Sequence, residues 1–205
     1  MTRSAAGAAP LSEAAALRLP GNPAVFLARS VDTPLGCLEL LAGPRGLRAV
    51  RFPGERPAAR RRADARRAGA VGDAGPGPVD PAACLLEAAR QLSEYFAGER
   101  TVFELPLDPV GTPFQRAAWE VLRTIPFGRT ISYGEQAARL GAPNAARAVG
   151  AANGRNPLPV VVPCHRVVGR DGSLVGFAAG TAVKAWLVRH EGIVLPGTNA
   201  GRRIR

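Results

Sequence analysis

The pattern of apolar positions predicts three short strands early in the chain. The stretches AVFLARS (24–30), GCLELLAG (36–43) and GLRAVRF (46–52) are short, rich in apolar residues and separated by turn-forming residues. Apolar runs of this length between turn residues are typical of β-strands, so we predict an antiparallel meander. Residues 1–22 carry no such pattern, and we expect them to form a disordered tail.

A helical period follows the strands. Between residues 81 and 99, apolar side chains recur at the spacing of one helix face, at Leu85, Ala88, Ala89, Leu92, Tyr95 and Phe96. Gly98 ends this predicted helix. The stretch TVFELPL (101–107) predicts one more strand, so residues 23–110 should form a small N-terminal α+β domain.

Two basic segments stand apart from this pattern. Residues 53–80 are dominated by Arg, Ala, Gly and Pro, including RRRADARR at 60–67. We interpret this segment as a long mobile loop of the N-terminal domain; an arm that binds nucleic acid is the alternative. Residues 196–205 are expected to form a basic tail.

The second half of the chain predicts helices joined by short turns. Thr112 can cap a helix that begins at Pro113. Ser132 can cap the next helix, with Glu135 three residues later completing a capping box. A turn at 141–143 leads to a further helix at 144–154. Helix, short turn and helix form the pattern of a helix-turn-helix unit, although a plain helical hairpin within a core shows the same spacing.

The last of these helices has an unusual composition. Arg147 is a long cation among small residues, which are Ala145, Ala146, Ala148, Gly150, Ala151 and Ala152. A helix that identifies bases in the major groove needs long polar side chains, and this helix has almost none. Its small residues would suit a narrow minor groove, and they would equally suit tight helix packing.

Charge and cysteine content narrow the functional classes. The chain has 205 residues and a formal net charge of +11, so it should be attracted to polyanions, nucleic acid first; a solvated basic tail is the alternative. Three widely spaced cysteines, Cys37, Cys84 and Cys164, do not make a disulfide framework and favour a reducing cytosol. No apolar run approaches the roughly 18 residues that a membrane span needs.

The stretch VVVPCHRVVG (160–169) carries the candidate chemistry. An apolar run typical of a buried strand ends at a proline, and Cys164 and His165 follow at once. A thiol becomes a strong nucleophile as thiolate, which a nearby base favours, and Glu191 could orient that base. Neighbouring side chains of an extended segment point to opposite faces, so this pair needs a turn or a bridging water. Cys37 and Cys84 are interpreted as inert, and the few Cys and His residues lack zinc-site spacing.

These residues resemble one known family, the O6-alkylguanine-DNA alkyltransferases, also called methylated-DNA–protein-cysteine methyltransferases. The resemblance runs from about residue 111 to 192. Its matching stretches are TPFQ (112–115), ISYGE (131–135), ARAVG (146–150), RNP (155–157), PCHRV (163–167), Gly176-Phe177, and Lys184 through His190-Glu191-Gly192. The PCHRV stretch is highly specific in this context, whereas the first half matches only in its outline of strands and helix.

The resemblance implies a role for each matching position. Cys164 would take the alkyl group from guanine O6, with His165 as a base acting through water and Glu191 orienting it. Tyr133 would donate to the guanine ring and crowd the 3′ phosphate, and Asn156 would brace the cysteine turn. Contacts to DNA would come from Tyr133, Arg147, Phe114, Gly134, Ala145, Ala146 and Arg170, with Arg147 filling the gap left by a flipped base. The substrate pocket would be lined by Val167, Phe177, Ala178 and Ala179.

Some positions depart from the family. Phe177 stands where relatives often have Tyr, and Ala179 where many have Gly, which narrows the predicted pocket. The zinc-binding cluster of some relatives has no counterpart, and the Arg-rich insertion is not matched. A related group that binds lesions without transfer has Trp in place of the cysteine, and Cys164 argues against that reading.

The sequence therefore predicts an α+β protein of two domains. A small N-terminal antiparallel sheet-plus-helix domain precedes a C-terminal winged-helix-like helix-turn-helix domain, residues 111–195, which carries the reactive cysteine. The predicted function is single-turnover repair of O6-alkylguanine in double-stranded DNA, bound through the minor groove, by a cytoplasmic bacterial monomer without cofactor or metal; O4-alkylthymine is left open as a second substrate. The rival is a lesion-binding or regulatory DNA-binding protein without transfer. A cysteine hydrolase would need an oxyanion hole, which no motif signals.

Overall fold

An antiparallel sheet forms the first half of the computed structural model, which describes residues 15–18, 25–54 and 78–195. Its four strands lie in chain order, each antiparallel to the next: β1 (Ala15–Arg18), β2 (Val25–Thr33), β3 (Gly36–Gly43) and β4 (Gly46–Arg51). The three predicted strands correspond to β2, β3 and β4.

Strand β1 corrects the prediction of a disordered tail over residues 1–22. Its four residues pair with β2 from Ala15 opposite Ala28 to Arg18 opposite Val25. The edge of β2 presents unpaired backbone groups, and a neighbouring segment can satisfy them without any apolar pattern of its own. The other residues of the predicted tails, and residues 55–77 of the predicted loop, lie outside the described residues.

Helix α1 (Pro81–Ala97) packs against the sheet. Asp80 caps its first turn by accepting a hydrogen bond from the Ala82 amide at 2.9 Å. Gly98 ends it in the left-handed conformation, with φ of 79°, as predicted. The buried face of α1 contains Leu85, Ala88, Ala89 and Leu92, which are the positions that its period predicted.

The strand predicted at 101–107 is wrong. This segment forms a single parallel bridge, Leu47 with Leu107, beside β4. The Leu47 amide donates to the Pro106 carbonyl at 2.8 Å, and the Asp108 amide donates to the Leu47 carbonyl at 2.8 Å. Pro106 has no N–H to continue a ladder, so pairing stops after one bridge.

The second half is a helical unit with a short parallel sheet. Its elements are α2 (Pro113–Arg123), β5 (Ile131–Ser132), α3 (Tyr133–Arg139), α4 (Ala146–Asn153), β6 (Val167–Val168) and α5 (Thr181–His190). Strands β5 and β6 are parallel. The capping box predicted at Ser132 with Glu135 is confirmed. The predicted cap at Thr112 is also confirmed, and it too forms a capping box, with Gln115.

The predicted fold class is confirmed: an antiparallel sheet with a helix is followed by a helix-turn-helix unit, α3 and α4, and then by the cysteine. One apolar core nevertheless connects both halves. Its members include Leu40 and Leu85 from the first half and Trp119, Leu158 and Leu187 from the second. No helix within the described residues is long and apolar enough to cross a membrane.

Candidate active site

A tight turn carries Cys164. The apolar run 160–162 before it is buried but is not the strand that its pattern predicted. Pro163, with φ of −81° and ψ of 65°, is the centre of an inverse γ-turn in which the Cys164 amide donates to the Val162 carbonyl at 2.8 Å. Val160 has φ of 74°, which is a strained conformation for a β-branched residue. Proline and this left-handed residue prevent the regular extended backbone that a strand requires.

Asn156 braces this turn from within. Its side-chain Nδ2 donates to the Val162 carbonyl at 2.7 Å and lies 3.3 Å from Sγ of Cys164. Its Oδ1 accepts from the Leu158 amide at 3.0 Å. Both ends of a buried amide are therefore used to hold the segment that leads into the cysteine. Cys164 itself is 5% exposed.

The turn continues into a 3₁₀ segment, Cys164–Arg166, which directs the imidazole of His165 to the carboxylate of Glu191. The predicted turn between the cysteine and the histidine is thus confirmed. His165 Nε2 lies 2.7 Å from Glu191 Oε1, at the end of α5. A carboxylate only accepts, so Nε2 carries the hydrogen and Nδ1 has the free lone pair. Nδ1 is buried and has no hydrogen-bond partner among the described residues.

Glu191 is the centre of a buried network. Besides His165, its oxygens accept from Arg166 Nε at 2.9 Å and Nη2 at 3.0 Å, from the Gly128 amide at 3.1 Å and from the Tyr95 hydroxyl at 2.9 Å. Burial opposes ionisation of Glu191, but the hydrogen bonds and charges of His165 and Arg166 outweigh it and hold its pKa at about 2. Burial lowers the pKa of His165, so the imidazole is neutral near pH 7.

Tyr133 and Lys184 form a second cluster near the thiol. The Tyr133 hydroxyl donates to the Val175 carbonyl at 2.8 Å, and Lys184 Nζ donates to the same carbonyl at 2.7 Å. Lys184 is fully buried and also donates to the Val167 carbonyl at 2.5 Å. Burial lowers the pKa of Lys184 to about 8, against the opposing charge of Cys164. Burial and then the Cys164 charge raise the pKa of Tyr133 to about 12.

The residues predicted to contact DNA lie at exposed or half-exposed positions of the second half. Phe114, Gly134 and Ala146 are in the first turns of α2, α3 and α4, and Ala145 precedes α4. Arg147 is exposed on α4, whereas Val149 and Ala152 of the same helix are buried. Arg170 is exposed in the turn after β6. One face of α4 therefore packs tightly against the protein, and another face is open to a ligand, so the small residues agree with both interpretations of the sequence.

The predicted pocket residues lie in β6 and in the segment that joins β6 to α5. Val167 is buried in β6, whereas Phe177 and Ala179 are half-buried and Ala178 is exposed. Phe177 meets the ring of Phe52 edge-on, with 6.2 Å between the ring centroids. Phe52 follows β4, so the N-terminal domain contacts the candidate pocket.

Sequence reasoning missed three of the groups that hold Glu191. They are Tyr95, Arg166 and the Gly128 amide. The helical period identified Tyr95 as a core residue, and a buried phenol needs a hydrogen-bond partner, but nothing local indicates which partner. Arg166 follows Cys164 and His165 in the sequence. Its guanidinium is buried, with the residue 6% exposed, and a buried cation needs an anionic partner.

Fold and site together define a class: a helix-turn-helix protein with a buried cysteine beside a histidine–carboxylate pair. Two family models match the chain. The ribonuclease-like domain of 6-O-methylguanine DNA methyltransferase matches residues 27–109, and its DNA binding domain matches residues 113–193.

Individual relatives agree with these matches. The methylated-DNA–protein-cysteine methyltransferase of Shigella flexneri is 57% identical over 106 residues, which are 51% of this chain and 62% of that protein. The protein of the same name from Methanosarcina acetivorans is 52% identical over 106 residues, 52% of this chain and 68% of its own length. The crystal structure of Mycobacterium tuberculosis OGT in complex with DNA has a TM-score of 0.64 and 41% identity, covering 79% of this chain and 90% of that one.

The chain belongs to the 6-O-methylguanine-DNA methyltransferase family. The aligned part covers about three fifths of the Shigella flexneri protein, 62% of its length.

Proposed function

We propose that this protein repairs DNA by transferring the alkyl group of O6-alkylguanine, methyl in the simplest case, to Sγ of Cys164. The observation that carries the proposal is the ordered pair beside the thiol. His165 is adjacent to Cys164 in one 3₁₀ turn, and Glu191 holds its Nε2–H at 2.7 Å, which leaves Nδ1 as the base. The names of the relatives state a protein cysteine as the methyl acceptor and methylated DNA as the substrate.

The chemical step is a displacement at carbon. The thiol proton passes through water to Nδ1 of His165, and Glu191 stabilises the resulting imidazolium. Sulfur then attacks the alkyl carbon in line, the S–C bond forms, and the C–O6 bond breaks with its electron pair remaining on guanine. Tyr133 donates a hydrogen bond to the guanine ring as the negative charge develops there. The proton held by the His165 imidazolium then returns through water to the guanine anion, so both guanine and His165 end neutral. The thioether is stable, so each molecule acts once, with no cofactor.

The base must leave the duplex before this reaction, because O6 lies within the paired stack. We propose that α3 and α4 enter the minor groove, where the small residues of α4 permit close approach. Arg147 fills the gap in the stack, and Tyr133 crowds the 3′ phosphate. Phe114, Gly134, Ala145, Ala146 and Arg170 contact the DNA around the flipped nucleotide. A relative of known structure is described in complex with DNA.

The flipped guanine lies against the segment between β6 and α5. The backbone of Cys164, Val167 and Ala178 recognises its edge, and Phe177 and Ala179 limit the room for the alkyl group. We propose that the protein works as a monomer, since one chain supplies every group named. We place it in the bacterial cytosol, where a reducing environment keeps the thiols of Cys37, Cys84 and Cys164 free.

The decisive experiment is methyl transfer followed by mass spectrometry. After incubation with duplex DNA that contains radiolabelled O6-methylguanine, the wild type should carry one methyl group, on Cys164. Cys164→Ala should carry none and still bind the DNA. Cys84→Ala is the matched control: burial and the charge of Asp80 raise the pKa of Cys84 to about 11, so transfer should persist. Wild-type protein that binds the lesion and stays unmethylated would instead identify the non-transferring rival.

Arg147→Ala tests the flipping step separately. A stack-filling side chain matters only in a duplex, so repair of duplex DNA should slow about tenfold or more while the reaction with free O6-methylguanine stays nearly unchanged. Arg123→Ala, at the end of α2, removes an equally large cation that pairs with Glu120 and should alter neither rate. Equal losses on both substrates would show that Arg147 supports the fold or the pocket.

A further inference from the structure

Tyr95 connects the N-terminal domain to the candidate base. It lies in α1, is fully buried, and donates its hydroxyl to Glu191 Oε1 at 2.9 Å, across 96 positions of sequence. His165 Nε2 is bound to the same oxygen at 2.7 Å. We propose that Tyr95 is a positioning residue, which shares this oxygen with His165 and thereby sets how readily His165 accepts a proton. The inference rests on the proposed function and adds the N-terminal domain to its proton path.

The orientation of Tyr95 is set at both ends. Its backbone carbonyl accepts from His190 Nε2 at 2.7 Å, and its hydroxyl reaches the next residue, Glu191. Its ring lies between aromatic neighbours, with centroids 5.4 Å from Phe103 and 6.2 Å from Phe127. The phenol therefore points at Glu191 without freedom to turn away. Burial, followed by the Glu191 charge, raises the pKa of Tyr95, so its hydroxyl stays a donor.

Glu191 does not depend on Tyr95 for its place. Its Oε2 accepts from Arg166 Nε at 2.9 Å and from the Gly128 amide at 3.1 Å, and Arg166 Nη2 also reaches Oε1 at 3.0 Å. Three donors besides His165 would remain after loss of the phenol. Removal of the Tyr95 hydroxyl alone should therefore leave the Glu191 carboxylate in position. Its negative charge would then be stabilised by one hydrogen bond fewer.

The direction of the effect follows from the charges around His165. Burial lowers its pKa most, Glu191 raises it, and the charges of Arg166 and Lys184 lower it again. Cys164 precedes it in the turn, and Tyr95 acts on it through Glu191. Without the phenol, Glu191 has one donor fewer and favours the imidazolium more strongly, so the pKa of His165 rises. His165 acts as a base only when it is neutral. A higher pKa of His165 therefore moves the fall of the transfer rate on the acidic side to higher pH.

The test is the pH profile of Tyr95→Phe, an isosteric change in the full-length chain. Single-turnover methyl transfer from O6-methylguanine duplex is measured between about pH 5 and 9. The plateau rate at high pH should stay within about twofold of wild type, while the acidic half-point moves up by about one pH unit. Phe103→Leu is the control: it weakens packing against the Tyr95 ring, keeps the hydroxyl, and should leave the half-point unchanged.

A second readout separates this inference from the proposed function. Alkylation of Cys164 by iodoacetamide, which displaces iodide and leaves a carbamidomethyl group on Sγ, needs no DNA. Its rate, followed by peptide mass spectrometry, should show the same upward shift in pH. An unmoved or lowered half-point in Tyr95→Phe overturns the role of Tyr95. Failure of the wild type to take a methyl group overturns the proposed function instead, and the iodoacetamide profiles still decide on Tyr95.

A measurement on the wild type covers the case in which Tyr95→Phe does not fold. The chain has two histidines and two tyrosines, so ring-labelled protein gives few signals to assign. The Tyr95 hydroxyl proton should exchange slowly with solvent and should lose that protection when Glu191→Gln removes the carboxylate charge. A hydroxyl that exchanges freely in the wild type would contradict the hydrogen bond and the proposal with it.

Discussion

At the scale of single residues, the position of the Tyr133 hydroxyl depends on its neighbours. It shares the Val175 carbonyl with Lys184, so that acceptor would keep a donor if the Tyr133 hydroxyl turned to guanine as proposed. The Tyr133 ring packs against α4, since a Cβ added at Gly150 would lie 3.6 Å from its Cε1. On its other side, a Cβ added at Gly176 would lie 2.9 Å from the hydroxyl oxygen. Because Gly176 has no Cβ, it leaves room for the Tyr133 hydroxyl at its observed position.

Gly176→Ala should consequently slow alkyl transfer by about tenfold or more, because a displaced donor no longer meets the developing charge on guanine. Gly180→Ala is the matched control. Both glycines have positive φ, 67° and 93°, so both substitutions strain the backbone, but nothing lies within 4 Å of a Cβ at Gly180. Single-turnover rates on folded variants give the comparison. Equal slowing in both would attribute the loss to strain and not to Tyr133.

At the scale of elements, a pair of buried amides joins the two helices of the helix-turn-helix unit. Gln136 Nε2 donates to Asn153 Oδ1 at 3.1 Å, and Asn153 Nδ2 donates back to Gln136 Oε1 at 2.7 Å. Gln136 Nε2 also donates to the Ala118 carbonyl in α2 at 3.0 Å. Side-chain hydrogen bonds of fixed geometry thus set the relation of α3 and α4 where apolar packing alone would tolerate sliding.

Asn153→Ala should lower the free energy of unfolding by about 2 kcal/mol, since it leaves the buried Gln136 carbonyl oxygen without its donor. Gln136→Ala should cost a similar amount. The double variant should cost less than the sum by about 1 kcal/mol, because each single change already removes the shared bonds. Urea titration of the four proteins measures this. Strict additivity would mean that the two amides are not coupled.

At the scale of the whole molecule, the two halves share one core and one network. Leu85 of α1 and Leu187 of α5 belong to the same buried cluster, together with Trp119. The Val50 amide in β4 donates to the Pro157 carbonyl beside the cysteine turn at 2.9 Å. The sheet and α1 therefore support the turn that carries the thiol, and we expect the halves to unfold together.

Leu85→Ala tests this cooperation, because the substitution is in the first half and both tryptophans are in the second. A fully buried leucine should cost about 3 kcal/mol when truncated. The urea midpoint reported by tryptophan fluorescence should fall by the same amount as the midpoint reported by circular dichroism. A tryptophan midpoint that stayed at the wild-type value would show that the second half folds independently.

Much of the local structure could be predicted because its causes are local. The helix period placed Leu85 and Leu92 in the core, and serine and glutamate three apart identified the cap at Ser132. The Cys-His pair, with the resemblance around it, selected Cys164, His165 and Glu191, and the structure brings the last two within 2.7 Å. The errors have two causes. Strand β1 formed because the edge of β2 offered it a partner, whereas Pro106 and the pair Val160 and Pro163 interrupted apolar runs that would otherwise extend.

The sequence alone determined the helix caps, the strands of the meander, the helix-turn-helix spacing and the position of the candidate nucleophile beside a histidine. Each depends on residues a few positions apart, whose backbone preferences act before the chain folds. Only the tertiary structure decided which buried groups meet. Tyr95 and Glu191 are 96 positions apart, and Arg166 and Glu191 are 25 apart. A pattern shows that such polar groups are buried and must be paired, but their partners follow from how the helices and the sheet pack.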